Sequence, residues 1–314
     1  MKILVNDAIA EEAIDLLKAK HEVDVMEYGA IELLGNIGRY DAIIVRSRTK
    51  VTEDVIQKGE NLKVIGRAGV GVDNIDVEAA TARKIPVVFS PRGSTVSVAE
   101  LAMGHMISLA RKLVFSDRSI RAGKWEKKKY KGTELQGKVL GLVGAGRIGA
   151  EVAKRAKAFG MSVLAFDPYL SREIADEIGV ELVELPRLLK EADFVSVHAI
   201  LTPETKGLIG KEELDTMKQT VFLVNCARGG IIDEAALADA LEGDRIAGAA
   251  LDVFENEPPR DSPLLRLENI HLTPHLGAST TEAQVRAGSI VAEQVLKVLG
   301  GEQPNQIVNR EIYD

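Results

Sequence analysis

Between residues 138 and 167 the chain reads Lys138-Val-Leu-Gly-Leu-Val-Gly-Ala-Gly-Arg-Ile-Gly149, then a helical stretch, then a second apolar run ending at Asp167. Val139 to Val143 is short and apolar, as suits a parallel strand buried on both faces. Gly144, Gly146 and Gly149 follow at the G-x-G-x-x-G spacing. The first permits a tight turn and the second leaves the backbone open to a pyrophosphate. The third lets the new helix pack close to its strand. The helix predicted over Arg147 to Phe159 would offer unpaired N–H groups and a partial positive charge to the phosphates. Ser162 to Phe166 reads as the next strand, with Asp167 at its end. A carboxylate there accepts from ribose hydroxyls and repels a 2′-phosphate, so the pattern implies NAD rather than NADP. Three glycines at this spacing would alone mark only a turn. The strand, helix and carboxylate around them make a nucleotide site, with Gly144, Gly146, Arg147, Ile148, Gly149 and Asp167 as expected contacts.

The glycine loop lies mid-chain, so another complete unit precedes it. Ile3 to Val5, Val23 to Met26, Ala42 to Val45, Val64 to Ile65 and Val87 to Phe89 are strand-like runs, with helices expected near Glu11 to Lys20, Glu53 to Lys58 and Val77 to Lys84. That alternation implies an α/β protein with parallel sheets covered by helices. After Pro91-Arg-Gly-Ser-Thr95 comes a long helix, about Val96 to Lys112, with Val98, Leu101, Ala102, Met106, Leu109 and Leu113 at helical spacing. Its small, apolar composition predicts burial on more than one side. Later strands are expected at Phe194 to Val197, Val221 to Val224, Gly248 to Leu251 and Ile270 to Leu272, and a last helix at Thr281 to Leu299.

Composition excludes several classes. At 314 residues there is room for two domains, and 46% hydrophobic with 28% charged residues is ordinary for a globular chain. A net charge of −7 gives no global basic field for nucleic acid, and Lys124 to Lys131 is the one basic run. A single cysteine, Cys226, rules out an intrachain disulfide. The N-terminus meets an acidic residue too early for a signal sequence, and no apolar run is long enough to span a membrane, so a cytoplasmic protein is expected. No metal site is expected.

Three later segments carry candidate chemistry. Val224-Asn-Cys-Ala-Arg-Gly-Gly230 places Arg228 past a strand end, Asp252-Val-Phe-Glu-Asn-Glu-Pro-Pro259 places Glu257 past another, and Thr273-Pro-His-Leu-Gly-Ala-Ser279 places His275 past a third. In doubly wound sheets these ends face the ligand crevice. Singly, each residue is an ordinary loop group. Together they supply what oxidation of a 2-hydroxy acid requires: a histidine to take the hydroxyl proton, a carboxylate to fix its tautomer, and an arginine to pair with the substrate carboxylate and polarise the developing carbonyl.

These segments, with Gly66-Arg-Ala-Gly-Val-Gly-Val-Asp-Asn-Ile-Asp76 and Gly123-Lys-Trp-Glu-Lys-Lys-Lys-Tyr130, resemble the D-isomer-specific 2-hydroxyacid dehydrogenases over essentially the whole chain. The Gly-Lys-Trp and Gly-Arg-Ala-Gly segments are similar to the branch that oxidises D-3-phosphoglycerate. The resemblance implies a Rossmann NAD-binding domain, residues 96–284, inserted in a flavodoxin-like substrate-binding domain, residues 1–95 plus 285–314. It implies further cofactor contacts at Val70, Ala199, Cys226, Ala227, Asp252, Gly277 and Ala278, and substrate contacts at Arg228, Val70 and Gly71. It also implies a homodimer or homotetramer.

For a substrate phosphate, the resemblance points to Arg46, with Arg48 beside it. Residues two apart on an extended segment share a face, which would let both reach one group. Lys129 or Lys131, from a second subunit, is a further candidate cation. The chain departs from the family's pattern at Val70, where a threonine is usual, and at Ala199-Ile200, where a residue followed by proline is usual. It ends soon after the last helix, so no serine-binding regulatory domain and no serine inhibition through one are expected. The implied activity is NAD-dependent oxidation of D-3-phosphoglycerate to 3-phosphohydroxypyruvate, in serine biosynthesis. The alternatives are a glyoxylate or hydroxypyruvate reductase or other D-2-hydroxyacid dehydrogenase, and an NAD-sensing, corepressor-like binding protein.

Overall fold

Short runs of β-branched and aliphatic residues make most of the strands, and turns at their ends hand the chain to a helix. In the computed structural model, which describes residues 1–314, this alternation builds two compact units: Met1–Thr95 together with Ala278–Asp314, and Val96–Gly277.

The first unit runs β1 (Lys2–Val5), α1 (Glu11–Lys18), β2 (Glu22–Val25), α2 (Ala30–Asn36), β3 (Ala42–Val45), α3 (Glu53–Lys58), β4 (Val64–Arg67), α4 (Val77–Ala82) and β5 (Val87–Phe89), and is completed by a returning helix, Thr281–Leu299. Its sheet is all parallel, in the order β2-β1-β3-β4-β5. This is the flavodoxin-like order, whose switch point lies between β1 and β3. The returning helix packs on β4, β5 and α1. Gly66 explains how closely it lies: a Cβ there would come within 2.8 Å of the Val291 side chain. The apolar side chains of β1, β3 and β4 divide between two cores, one on each face of the sheet.

The second unit opens with α5 (Thr95–Arg111) and α6 (Leu113–Arg121). It continues β6 (Val139–Val143), α7 (Arg147–Ala158), β7 (Ser162–Phe166), α8 (Arg172–Ile178), β8 (Glu181–Leu182), α9 (Leu185–Glu191) and β9 (Phe194–Val197). Then come α10 (Lys211–Thr216), β10 (Phe222–Asn225), α11 (Glu234–Glu242), β11 (Gly248–Leu251) and β12 (Ile270–Leu272). The seven strands are parallel, in the order β12-β11-β10-β9-β6-β7-β8. The order reverses between β6 and β9, the Rossmann switch point.

The long helix expected through Lys112 stops at Arg111. Lys112 takes a left-handed φ of 53°, which breaks the helix, and Leu113 begins α6 with half its surface exposed instead of joining the apolar face. Within the second unit α5 is buried on several sides, through Val98, Ala99, Ala102, Met103, His105, Met106 and Leu109. The short strand β8 and helices α2, α6 and α8 to α11 were not anticipated from the sequence.

Candidate active site

At the switch point of the second unit the glycine loop has the geometry its spacing predicts. Gly144 has a φ of +91°, and a Cβ there would meet the Ala199 amide nitrogen at 2.7 Å. That close approach places Ala199, after β9, directly beside the loop. At Gly149 a Cβ would lie 2.4 Å from the Gly144 carbonyl oxygen, so α7 can approach β6 only if no side chain intervenes. Gly146 is different: a Cβ there would have no atom within 4 Å. It is the N-cap of α7 and no side chain caps the helix, so the first-turn N–H groups have no side-chain partner. This arrangement fits a dinucleotide pyrophosphate. Arg147 stands exposed at the first helical position, while Ile148 packs on the core.

Asp167 lies beyond β7, where its two carboxylate oxygens accept the backbone N–H groups of Ala145 (2.9 Å) and Tyr169 (3.0 Å). It therefore ties the end of β7 to the glycine loop. Each oxygen keeps a lone pair for a ribose hydroxyl. His198, at the end of β9, bonds through Nε2 to the Ser196 hydroxyl at 2.8 Å, and burial pushes its ring down to about 4. Cys226 is buried, and burial pushes its thiol well above the ordinary range, so it is a neutral wall residue rather than a nucleophile.

The candidate triad gathers beyond three adjacent strands, β10, β11 and β12. His275 Nδ1 and Glu257 Oε2 are 2.8 Å apart, with the side chains 45% and 40% exposed. The other Glu257 oxygen accepts the Phe254 N–H at 3.2 Å. The hydrogen bond His275 donates to Glu257 raises the His275 pKa above its ordinary value, against burial and the nearby Arg228 charge. Burial raises the Glu257 carboxyl. The His275 hydrogen bond, the charge of His275 and the Phe254 N–H together outweigh that and bring it below its usual range. Arg228 follows β10, close enough for its charge to act on both partners, and its Nη1 donates to the Ala227 carbonyl at 2.7 Å.

Two residues hold this arrangement from below. Buried Asn225 donates to the Arg228 carbonyl and accepts the Ala227 N–H, both at 2.9 Å, and so sets the loop that carries Arg228. Its place at a strand end, where asparagine shapes loops, is its only mark in the sequence. Asp252 was expected among the cofactor contacts. It is fully buried, and its carboxylate accepts the Thr273 hydroxyl (2.6 Å), the Leu276 N–H (2.7 Å) and the Gly277 N–H (2.8 Å). Its carbonyl accepts the His275 N–H at 2.9 Å. These bonds offset the cost of holding His275 at a φ of 54°, a left-handed conformation uncommon for a side chain of this size.

In the first unit, Arg46 follows β3 beside the switch point. It borders a small recess with Gly69, Ser94, Ala278, Ala283 and Gln284. Its Nη1 donates to the Ala8 carbonyl at 3.5 Å, whereas Arg48 is held by Asp7. The chain leaves the extended conformation after Val45 and wraps around buried Asp7. That carboxylate accepts the Arg46 N–H (2.6 Å), the Thr49 hydroxyl (2.6 Å) and Arg48 Nε (3.0 Å). Arg48 Nη2 also donates to the Asn6 carbonyl. The segment after Val45 is thus a bend and not the extended stretch assumed for these two arginines. Register pairs Val45 with Arg67, placing Arg67 at the neighbouring strand end, and Asn74 links them by accepting from Arg67 Nε and donating to the Arg46 carbonyl. Val70 and Gly71 lie in the bend that follows, partly exposed. Lys129 borders an open groove of about 660 Å³ in the second unit, with Arg118, Lys124, Glu126 and Arg266.

Residues 103–277 match the family model for the D-isomer specific 2-hydroxyacid dehydrogenase, NAD binding domain. The chain belongs to the D-isomer specific 2-hydroxyacid dehydrogenases. NAD is accordingly the cofactor that its second unit is built to hold. Among similar proteins, the D-3-phosphoglycerate dehydrogenase of Methanocaldococcus jannaschii is 55% identical over 98% of this chain and 59% of its own length. The hydroxypyruvate reductase of Thermotoga maritima is 48% identical over 95% of this chain and 98% of its own length. The crystal structure of the TT0316 protein from Thermus thermophilus superposes with a TM-score of 0.91 at 37% identity, covering 98% of this chain and all of that one. The chain thus spans about three fifths of the length of the phosphoglycerate dehydrogenases it matches, here 59%. No helix is long and apolar enough to cross a membrane.

Proposed function

We propose that this protein oxidises D-3-phosphoglycerate to 3-phosphohydroxypyruvate with NAD, as a cytoplasmic step toward serine. The observation that carries this reading is the 2.8 Å pair between His275 Nδ1 and Glu257, with the Arg228 charge beside it, in a unit whose glycine loop is open for a dinucleotide. With Nδ1–H donated to the carboxylate, the neutral ring presents Nε2 as an acceptor. Nε2 takes the substrate hydroxyl proton, and Glu257 stabilises the imidazolium that results. Arg228 pairs with the substrate carboxylate and polarises the developing carbonyl. NAD, when bound, supplies the two-electron acceptor. Gly144, Gly146 and Gly149 with the start of α7 hold its pyrophosphate, Asp167 its ribose, and Ala199, Cys226, Ala227 and Gly277 line the remainder.

The first unit is assigned the substrate-binding role, through Val70 and Gly71 and, for the phosphate, Arg46. Arg48 is withdrawn from that pair because its guanidinium is bound to Asp7 and Asn6. A homodimer or homotetramer is the expected working form: Leu113, Ile120 and Trp125 expose an apolar surface on α6 and the loop after it that a second copy could cover.

The test is NADH formation with NAD and D-3-phosphoglycerate, beside D-glycerate and D-lactate at equal concentration. Strong preference for the phosphorylated acid supports the proposal. Equal or faster turnover of the unphosphorylated acids favours the second reading, a hydroxypyruvate or glyoxylate reductase. The observation behind that reading is the engagement of Arg48 with Asp7 and Asn6.

A further inference from the structure

Helix α5 contributes no residue to the triad, yet it touches both ends of the turn that carries His275. Near its start, the buried Ser97 hydroxyl donates to the Gly277 carbonyl at 2.7 Å. Eight residues on, about two turns and on the same face, buried His105 brings Nε2 within 3.3 Å of the Thr273 hydroxyl oxygen. The intervening Val98 packs where a Gly277 side chain would stand, at 3.2 Å.

The direction of the His105 bond follows from the partners. The Thr273 hydroxyl has one hydrogen, and its 2.6 Å contact with the Asp252 carboxylate uses it. Thr273 Oγ1 can then only accept, so His105 must present Nε2–H. Burial holds the ring neutral, consistent with that single tautomer. By occupying the lone pair of Thr273, His105 keeps the hydroxyl aimed at Asp252. The same carboxylate oxygen accepts the N–H of Leu276, the residue after His275. His271, two residues before Thr273 on β12, takes no part: its ring lies against Phe115 and neither nitrogen has a partner.

We propose that α5 is a splint for the catalytic turn, and that His105 is a positioning residue acting through Thr273 and Asp252 on His275. The proposal rests on His275 being the acid–base group. Four variants test it: His105→Leu, His105→Gln, Thr273→Val, and the double variant His105→Leu/Thr273→Val. His105→Leu and Thr273→Val should each lower kcat about five- to tenfold, the size of one buried hydrogen bond. KM for the hydroxy acid should stay within about twofold, because the substrate's own contacts are untouched. The double variant should be no worse than the worse single one, since both remove the same link. His105→Gln keeps an N–H at nearly the same place and should recover most of kcat.

Histidine NMR on the protein without cofactor gives a readout independent of turnover. It should show His105 as the neutral Nε2–H tautomer, and His275 titrating at lower pH in His105→Leu than in the wild type. Effects that multiply in the double variant would overturn the proposal, as would a wild-type kcat and an unchanged His275 titration in His105→Leu. If His105→Leu does not fold, Thr273→Val against Thr273→Ser decides the same point. A wild type inactive on every D-2-hydroxy acid, with the His275 titration still moved by His105→Leu, would remove the functional reading and leave the splint.

Discussion

Replacing Glu257 by Gln keeps a group of the same size beside His275 and removes only its charge. The wild-type carboxylate meets His275 Nδ1 at 2.8 Å. A hydrogen bond to a charged partner contributes about 1.5–3 kcal/mol. Because the two side chains are 45% and 40% exposed, water screens the pair, and the lower end, about 1.5 kcal/mol, applies. The contribution grows as the ring takes the substrate proton, so it acts in the transition state and is worth about tenfold in kcat for oxidation.

The pH profile gives the sharper check. The Glu257 hydrogen bond raises His275 above its ordinary value. Oxidation uses the neutral ring, so its rate rises with pH through that raised value, and the reverse reduction falls through it. Removing the carboxylate charge should move the oxidation limb to lower pH while lowering the plateau. Stability carries the same sign. The ion pair stabilises the fold only where His275 is protonated and Glu257 ionised, and it is lost as pH rises through the raised histidine value or falls through the depressed carboxyl value. The deficit of Glu257→Gln should therefore be confined to mildly acidic pH. Initial rates of NADH formation across the acid-to-alkaline range, with thermal melts at each pH, test this. A variant whose limb stays in place, or whose kcat matches the wild type, would refute the assigned role of the pair.

Three further outcomes are expected. His275→Ala should lower kcat by about two to four orders of magnitude without unfolding the protein, measured by steady-state turnover and a thermal melt. Gly146→Val and Gly149→Ala should separate binding from folding. The first adds a side chain in open space and should weaken NAD affinity, measured by calorimetry, with little change in Tm; the second forces a Cβ to 2.4 Å from a carbonyl oxygen and should lower Tm. Arg46→Ala should raise KM for D-3-phosphoglycerate and leave KM for D-glycerate alone. Arg48→Ala should instead cost stability, by about 1–3 kcal/mol in urea titration, because it leaves the buried Asp7 carboxylate short of a donor.

Legibility from sequence followed the range over which each constraint acts. The strands Ala42–Val45, Val139–Val143, Ser162–Phe166 and Gly248–Leu251 lie where their apolar runs lie, because a buried parallel strand needs a continuous apolar stretch and little else. Helices α8 to α11 are short and partly exposed, and gave no comparable period. The arginine expectation went astray because it assumed an extended segment after Val45. Asp7, remote in sequence, turns that segment, and nothing near Arg48 announces it.

The sequence by itself determined where the chain must turn, where it can approach a phosphate, and which groups able to move a proton or hold an anion stand past strand ends. Those properties reside in single residues and their neighbours: a glycine's freedom at φ +91°, the missing Cβ at Gly149, a histidine's titration near neutrality. Only the tertiary structure decided which polar groups meet. His275 and Glu257 are 18 residues apart, and Thr273 and His105 are 168 apart. Their contacts depend on β10, β11 and β12 lying side by side and on the face that α5 presents to them. The same packing buried Asp252 and made it the anchor of the catalytic turn, since a carboxylate removed from water is stable only where donors surround it.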